Sequence, residues 1–330
     1  MTDNATTGRL DGRVVVITGA GRGIGAEYAK RAAAHGAKVI VNDLGGGIHG
    51  ETGDGAGKSP ADEVVEAIAA AGGVAAADHS DVSDFDGAAA LIEHAVRQFG
   101  GLDVLINNAG ILRDRMLVGM SPEEFDDVVR VHLRGHFGPS HHAANHWRSR
   151  TREEGRARDA VLIHTSSVSG LHGNIGQFNY SAAKAGIATM AINGHLELNE
   201  RYGVRSYAIA PSARTRLTLS APGVEDGVAA PQDGFDFFAP EYVAPFVLWL
   251  ATPSCPAPSG TVYGVEGDLV RRYQPWSIAA TVTNGGRAWS FEDIDAAHDS
   301  LNEGARVTSA ADVIDLTSQY VASLRSAVRS

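Results

Sequence analysis

Cysteine is nearly absent from this sequence, since Cys255 is the only one among 330 residues. A single cysteine cannot form an intrachain disulfide or supply the several thiolates of a metal cluster. No stretch approaches the ~20 apolar residues of a membrane-spanning helix, and the start MTDNATTGRLDGR lacks the apolar run of a signal peptide. We therefore expect no membrane partner and a reducing, cytoplasmic location.

Positive charge is also scarce, with 28 Lys and Arg against 39 Asp and Glu and a net charge of −11. No basic stripe runs along the chain, which argues against nucleic acid as a partner. A local basic pocket for a phosphorylated ligand stays compatible with this balance. Apolar residues make up 44% and charged residues 20%, values typical of a soluble globular protein, and the 39 glycines indicate many tight turns.

Short apolar runs alternate with helical patterns along most of the chain. The runs read as buried strands rich in Val and Ile, with 72–79 as a weaker candidate: 14–19, 37–43, 102–108, 160–166, 204–211 and 260–267. Helical spacing fills the intervals at 23–34, 60–71, 84–98, 121–147 and 178–201. This alternation predicts an α/β fold: a single Rossmann-type, doubly wound parallel sheet with helices on both faces. Ligands of such sheets bind beyond the carboxyl ends of the strands.

The pattern divides the chain into a Rossmann domain at 1–267 and a C-terminal extension at 268–330. Two helices are predicted in the extension, near 290–302 and 309–325. Their apolar residues need a partner surface, so we expect the extension to pack on the core or across a dimer: Phe291, Ile294, Val313, Ile314, Leu316, Val321 and Leu324. The glycine-rich stretch 45–57 and the charged run 148–159 are predicted as loops, and 212–240 as a mobile lid.

A glycine-rich turn, TGAGRGIG at 18–25, follows the first strand and opens the first helix. Glycine lets the backbone approach a pyrophosphate closely, and a helix N-terminus offers free N–H groups. The candidate cofactor-binding residues here are Gly19, Gly21, Arg22, Gly23, Ile24 and Gly25. The alternative is a tight connection without a ligand.

Asp43 ends the second strand, where a carboxylate can bind both adenosine ribose hydroxyls. It would repel the 2′-phosphate of NADP, although Arg22 could attract that phosphate. We therefore expect NAD as the cofactor, with NADP less favoured. After the third strand, Asp81 and Val82 could contact adenine, unless this segment only caps the next helix through Ser83 or Asp84.

The stretch QFNYSAAK at 177–184 spaces Tyr180 and Lys184 as i and i+4, on one face of a helix. An ammonium group near a phenol lowers the phenol pKa, which would suit proton exchange with an alcohol. Ser167 lies 13 residues ahead of Tyr180, beside Ser166. NNAG at 107–110 closes the fourth strand, where Asn108 and Gly110 would face a cofactor.

Four motifs in order, TGAGRGIG, NNAG, SSVSG and YSAAK, resemble those of the short-chain dehydrogenase/reductase family over roughly residues 10–267. The resemblance implies that Tyr180 is the general acid/base and that Lys184 lowers its pKa and binds the nicotinamide ribose. It implies that Ser167 holds the substrate oxygen, a role that spacing assigns to it over Ser166. It also implies a homodimer or homotetramer.

Further stretches, among them NAGILRDR, VHLRGHF and GNIGQFNYSAAKAG, resemble the (3R)-hydroxyacyl-CoA dehydrogenase modules of peroxisomal multifunctional enzymes of type 2. This likeness implies NAD-dependent oxidation of a (3R)-3-hydroxyacyl-CoA, or of a CoA-linked sterol side chain. The alternatives are a hydroxysteroid dehydrogenase, a 3-oxoacyl-carrier-protein reductase, and a nucleotide-sensing protein without catalysis.

The sequence departs from the family pattern at three places. His132 stands where most members have an asparagine, so it either joins the proton relay or is a hydrogen-bonded core residue. The Pro-Gly turn after the sixth strand reads PSART, which leaves Pro211 and Thr215 as the candidate cofactor contacts. Pro139 falls within a predicted helix that also carries His142 and His146; they have metal-ligand spacing but no evident third ligand, so no metal is expected.

Overall fold

The structure, a computed structural model, describes residues 8–46, 58–220, 225–232, 234–274 and 276–305. Within these ranges eight strands form one sheet: β1 Val14–Thr18, β2 Lys38–Asn42, β3 Val74–Asp78, β4 Val104–Asn107, β5 Ala160–Thr165, β6 Val204–Ser212, β7 Thr261–Glu266 and β8 Leu269–Tyr273. Their order is β3-β2-β1-β4-β5-β6-β7-β8. All neighbouring pairs are parallel except β7 with β8. The predicted doubly wound parallel sheet is confirmed.

Helices connect the parallel strands. In the same ranges they are α1 Gly23–Ala34, α2 Pro60–Ala70, α3 Phe85–Phe99, α4 Pro122–Val129, α5 Gly135–Glu154, α6 Val168–His172, α7 Phe178–Gly194, α8 Glu200–Tyr202, α9 Arg216–Leu219, α10 Glu225–Val228, α11 Ala244–Leu250 and α12 Phe291–Asn302. Two π-helical segments, Arg130–Arg134 and His195–Asn199, join α4 to α5 and α7 to α8. Two 3₁₀ turns are Leu117–Gly119 and Pro240–Tyr242. No helix of the described ranges is long and apolar enough to cross a membrane.

The core lies on both faces of the sheet. Successive residues of a strand point to opposite faces, and in β1 Val15 and Ile17 join one apolar cluster while Val14 and Val16 join another. Trp147 of α5 is fully buried in the second cluster. Burial on both faces explains why these strands are continuous apolar runs rather than alternating patterns.

The helix predicted at 121–147 is interrupted and longer than expected. A π-helical turn divides α4 from α5, and α5 continues to Glu154, where Gly155 ends it with φ of 67°. The first part of 148–159 is therefore helix rather than loop, which corrects the prediction. Glu154 accepts hydrogen bonds from Arg150, one turn back, and from Arg158, so charge pairing stabilises this last turn.

The sheet extends past the predicted domain boundary. Strand β8 pairs antiparallel with β7, and the chain divides into compact units at Tyr273 rather than at Gly267. In the second unit α12 matches the helix predicted at 290–302 and begins with a capping box between Ser290 and Asp293. The helix predicted near 309–325 and its apolar residues lie outside the described residues. The packing of the extension stays a prediction.

Candidate active site

The glycine turn between β1 and α1 leaves the first N–H groups of α1 accessible to a ligand. Gly19 and Gly23 have φ of 61° and 56°, a backbone conformation that favours glycine. A Cβ at Gly25 would lie 2.4 Å from the carbonyl oxygen of Gly19. Among the described residues no side chain caps α1 at Arg22, and its first turn holds no acidic residue. Backbone N–H groups and the helix dipole together fit a dinucleotide pyrophosphate.

Asp43 is held against this turn directly after β2. Its Oδ2 accepts a hydrogen bond from the backbone N–H of Gly21 at 2.9 Å, and its Oδ1 accepts one from Gly45 at 2.8 Å. A Cβ at Gly21 would lie 2.8 Å from Oδ2, so glycine there makes room for the carboxylate. Each carboxylate oxygen keeps a second lone pair for another donor, such as a ribose hydroxyl.

Arg216 is a cationic neighbour of Asp43 that sequence reasoning missed. Burial lowers the pKa of Arg216, the charge of Arg22 lowers it further, and the charge of Asp43 opposes both effects. Two guanidinium groups and one carboxylate therefore share the region next to the glycine turn. Only the fold brings Arg216, which opens α9 after β6, to residues near the start of the chain.

The other candidate cofactor contacts occupy the carboxyl ends of neighbouring strands. Asn108 donates from Nδ2 to the carbonyls of Thr18 and Gly19, at 3.0 Å each, and so ties β4 to the glycine turn. A Cβ added to Gly23 would lie 3.5 Å from Cγ2 of Thr215, which places Thr215 over the turn. Pro211 lies in β6.

The sequence left two roles open for the segment after β3, capping of the next helix and contact with adenine. Asp84 caps α3 by accepting from the N–H of Gly87 at 2.8 Å. Asp81 instead accepts from the N–H and hydroxyl of Ser83, at 2.8 and 2.7 Å, and Val82 is buried. Asp84 therefore caps α3. A contact of Asp81 and Val82 with adenine stays a prediction.

Ser167, Tyr180 and Lys184 come together where β5 ends and α7 begins. The hydroxyl of Tyr180 interacts with the side chain of Ser167, and Nζ of Lys184 lies 5.4 Å from the centroid of the Tyr180 ring. Ser166 points away, because its buried hydroxyl donates to the carbonyl of Lys184 at 2.8 Å. The structure therefore favours Ser167 over Ser166 as the hydroxyl that can meet a substrate.

Burial dominates the ionisation of this cluster. Burial raises the pKa of Tyr180 to about 12, while the Ser167 hydrogen bond lowers it and the charge of Asp114 raises it. Burial likewise lowers the pKa of Lys184 to about 7. In the folded protein burial therefore places the pKa of Tyr180 above its ordinary value, and a lowering of that pKa by Lys184 stays a prediction.

His132 is a buried residue that touches Tyr180. Its ring meets the Tyr180 ring edge-on with 5.2 Å between centroids. Its Nε2 lies 2.8 Å from the carbonyl oxygen and 3.1 Å from the amide nitrogen of Ile111. Burial holds the pKa of His132 well below its usual value, so the ring is neutral. A Cβ at Gly110 would lie 2.4 Å from the ring, so Gly110 makes room for His132.

One further residue positions the tyrosine, and a second binds Asp114, whose charge acts on Tyr180; sequence spacing revealed neither. Buried Asn179 donates to the carbonyls of Arg113 and Glu124 and accepts from the N–H of Tyr180 at 2.7 Å. Gln177 donates to Asp114 at 2.9 Å. Both lie inside the QFNYSAAK stretch, but only their partners on a distant segment reveal their role.

Metal ligands do not cluster within the described ranges, where no group of three or more His, Cys, Asp or Glu side chains could hold an ion. His142 instead contacts the carbonyl of Phe85 at 3.1 Å. Burial is the largest cause of the lowered pKa of His146.

Comparison with known proteins gives concordant results. The family model described as short chain dehydrogenase matches residues 13–219. The chain is 39% identical over 288 residues to hydroxyacyl-CoA dehydrogenase ChsB1 of Mycobacterium tuberculosis, an alignment that covers 87% of each chain. It is 43% identical over 251 residues to peroxisomal multifunctional enzyme type 2 of Mus musculus, covering 75% of this chain but 31% of that longer protein. A crystal structure of a short chain dehydrogenase from Mycobacterium avium is similar with a TM-score of 0.79 and 46% identity, over 92% of this chain and 98% of that chain.

Proposed function

The chain belongs to the short-chain dehydrogenase family, and we propose that it oxidises a (3R)-3-hydroxyacyl-CoA to the 3-oxoacyl-CoA with NAD. As a member of this family it is an oxidoreductase that acts on CH–OH groups with NAD or NADP. The observation that carries the proposal is the meeting of Tyr180 with Ser167 and Lys184 where β5 ends and α7 begins. The acyl-CoA substrate is supported by the relative that is named a hydroxyacyl-CoA dehydrogenase.

In this proposal Tyr180 and Lys184 act as one proton-accepting pair. A phenolate would favour the ammonium form of its neighbour, so the two groups titrate together. Because burial lowers the pKa of Lys184 to about 7, the pair gives up a proton near neutral pH. It can then accept the proton of the substrate hydroxyl through the Tyr180 oxygen, while the Ser167 hydroxyl donates to the substrate oxygen. The nicotinamide supplies the hydride acceptor when bound.

His132 contributes to this pair by position rather than by charge. It is neutral, fully buried and anchored on Ile111, and its ring supports one edge of Tyr180. These contacts favour the hydrogen-bonded core residue over a member of the relay.

The preference for NAD rests on Asp43. Its carboxylate lies beside the turn that would hold the pyrophosphate, and each oxygen keeps a lone pair for a ribose hydroxyl. A 2′-phosphate brought to the same place would meet this negative charge.

A second candidate, NADPH-dependent reduction of a 3-oxoacyl-carrier protein, has one specific observation in its favour. Arg22 and Arg216 both lie near Asp43, and two guanidinium groups can hold a 2′-phosphate. The choice between the two candidates therefore depends on whether the negative charge of Asp43 or the positive charges of Arg22 and Arg216 have the larger effect on cofactor binding.

The test is NADH or NADPH absorbance with matched substrate pairs. The enzyme would be offered (3R)- and (3S)-3-hydroxyacyl-CoA of graded chain length, a CoA-linked sterol side chain, a free hydroxysteroid, and 3-oxoacyl-carrier protein, each with both cofactors. We expect turnover of the (3R)-acyl-CoA with NAD. Faster turnover of the carrier-protein substrate with NADPH would establish the second candidate, and no turnover of any alcohol or ketone would favour nucleotide sensing.

We also propose a homodimer or homotetramer, as the family commonly forms. Light scattering after size-exclusion chromatography measures the mass directly, and a monomer would contradict this proposal.

A further inference from the structure

Gln177 carries a buried amide on which three polar side chains converge. It is the N-cap residue of α7, and only 7% of it is exposed. Its Nε2 donates to Oδ2 of Asp114 at 2.9 Å. Its Oε1 accepts from the hydroxyl of Ser169 and from Nδ2 of Asn174, at 2.9 Å each. Gln177 therefore links the loop after β4 to the segment between β5 and α7.

The carboxylate of Asp114 decides which way the Gln177 amide points. An ionised carboxylate only accepts hydrogen bonds, so the NH2 group of the amide must face it. The carbonyl oxygen Oε1 is then turned toward Ser169 and Asn174, and both donate to it. With the amide reversed, its carbonyl oxygen would face the carboxylate, and two acceptors would meet without a proton between them.

Backbone contacts hold the same two segments together. The N–H of Arg115 donates to the carbonyl of Gly176 at 2.8 Å, and Arg115 pairs with Gln177 in an isolated parallel bridge. Asn179 donates to the carbonyl of Arg113 at 3.0 Å. Asp114 lies between these contacts in the chain, so it is held within reach of the Gln177 amide.

Ser169 connects Gln177 to the hydroxyl of Ser167. The N–H of Ser169 donates to Oγ of Ser167 at 3.2 Å, which caps the start of α6. A serine hydroxyl has one donor and two acceptor positions, so this bond occupies an acceptor position and leaves the O–H group to donate. The Tyr180 side chain interacts with the same hydroxyl. The position of Ser169 therefore affects where the Ser167 oxygen lies.

We propose that Gln177, oriented by Asp114, is a positioning residue that fixes the Ser167 hydroxyl through Ser169. Its effect on turnover rests on the proposed function, in which the Ser167 hydroxyl donates to the substrate oxygen. The placement of the hydroxyl itself does not depend on a substrate.

Loss of the Gln177 amide should lower kcat with little change in KM. A hydroxyl that donates to an oxygen with developing negative charge acts more strongly in the transition state than on bound substrate. Gln177→Leu removes both polar ends of the side chain, and a donor displaced by about 1 Å can cost ~100-fold in rate. We expect kcat to fall by about 10–100-fold. The measurement is NADH absorbance with the (3R)-3-hydroxyacyl-CoA that the wild-type protein turns over fastest.

Ser169→Ala and Asn174→Ala form a matched pair. Each removes one donor to the same oxygen of Gln177, but Ser169 also contacts Ser167. Ser169→Ala should therefore reproduce most of the loss seen in Gln177→Leu, and Asn174→Ala should cause a much smaller loss. Equal losses in the two variants would overturn the proposal. Both variants leave the buried amide in place, so this pair decides if Gln177→Leu fails to fold.

An exchange of charge between the two partners tests the role of Asp114. Gln177→Glu sets a second carboxylate against Asp114, so the hydrogen bond is lost and like charges repel. Adding Asp114→Asn supplies an NH2 group that faces the new carboxylate, whose oxygens can still accept from Ser169 and Asn174. The double variant should recover most of the kcat that Gln177→Glu loses. A double variant no faster than Gln177→Glu would contradict the proposal.

A double-mutant cycle with Ser167→Ala shows whether Gln177 acts through Ser167. If it does, adding Gln177→Leu to Ser167→Ala should change kcat by less than about twofold, whereas the full additive loss would refute the proposal. Wild-type turnover in Ser167→Ala, or no turnover in the wild-type protein, would instead refute the proposed function. Crystal structures of the wild-type protein, Gln177→Glu and the double variant then decide. Displacement of the Ser167 oxygen in the single variant and its return in the double variant support the proposal, and an unmoved oxygen refutes it.

Discussion

The glycine turn and the Tyr180 site lie at the same edge of the sheet, yet they are built in opposite ways. The turn works through backbone: its glycines leave room for close approach, and Asp43 is held by backbone N–H groups of Gly21 and Gly45. The Tyr180 site works through side chains, with Lys184 buried and Tyr180 partly buried, and loss of solvent changes their ionisation. Adding atoms to the glycine turn should therefore weaken cofactor binding. Removing polar atoms from the Tyr180 site should lower turnover.

Removing the Tyr180 hydroxyl should give the largest effect. Tyr180→Phe deletes one oxygen and keeps the ring contact with His132. Turnover should fall by a factor of ~10²–10⁴, the usual contribution of a positioned acid/base. Cofactor affinity, measured by calorimetry, should change little because the glycine turn is untouched. Turnover near the wild-type value would mean that another residue accepts the proton.

The buried ammonium should also appear in the pH dependence of stability. The pKa of Lys184 is about 7 in the folded protein and 10.5 as its ordinary value, so in this window the unfolded chain binds more protons. Stability of the wild-type protein should therefore rise with pH between these values, by roughly 2–4 kcal/mol. Lys184→Met should lack this rise. The buried histidines do not interfere, because their lowered pKa values reduce stability only below about pH 6.5.

Denaturant unfolding at pH 7.5, 8.5 and 9.5 is the measurement, and this range stays below the ordinary pKa of tyrosine near ~10. If the free energy of unfolding changes equally with pH in the wild-type and Lys184→Met proteins, the ammonium group of Lys184 is not desolvated in the folded protein.

An added methyl group should damage the turn instead. In Gly25→Ala the new Cβ would lie 2.4 Å from the Gly19 carbonyl and 2.6 Å from Asn108 Nδ2. We expect cofactor affinity to fall by about 10–100-fold, a loss within the 1–3 kcal/mol typical of overpacking. Turnover at saturating cofactor should fall much less. Gly101→Ala is the control, because its Cβ would meet nothing within 4 Å. Equal losses in the two variants would contradict the argument.

The cofactor preference should give the smallest effect. We expect kcat/KM to be at least about tenfold higher with NAD than with NADP, which corresponds to ~1.4 kcal/mol. Asp43→Ser should narrow this ratio, and Arg216→Ala should widen it. An NADP preference in the wild-type protein would mean that the two arginines outweigh the carboxylate.

The sequence predicted the sheet well because buried parallel strands are short apolar runs that can be recognised locally. It missed β8, whose partly exposed residues, Leu269 to Tyr273, form an edge strand and lack such a run. It also ended α5 too early, since the charged run after Trp147 resembles a solvated loop until Arg150 and Glu154 are seen to pair across one turn.

In the candidate site, too, some residues could be recognised from the local sequence and others only from the fold. The glycine turn and Asp43 were predicted from their places after the first and second strands, and the Ser167, Tyr180 and Lys184 set from the family resemblance that the ordered motifs carry. Arg216 and Asn179 became apparent as neighbours of the site only in the fold, which joins segments far apart in sequence. The direction in which the pKa of Tyr180 shifts was also decided by the fold. An i, i+4 spacing indicates that an ammonium is near, but only burial determines whether its attraction exceeds the loss of water.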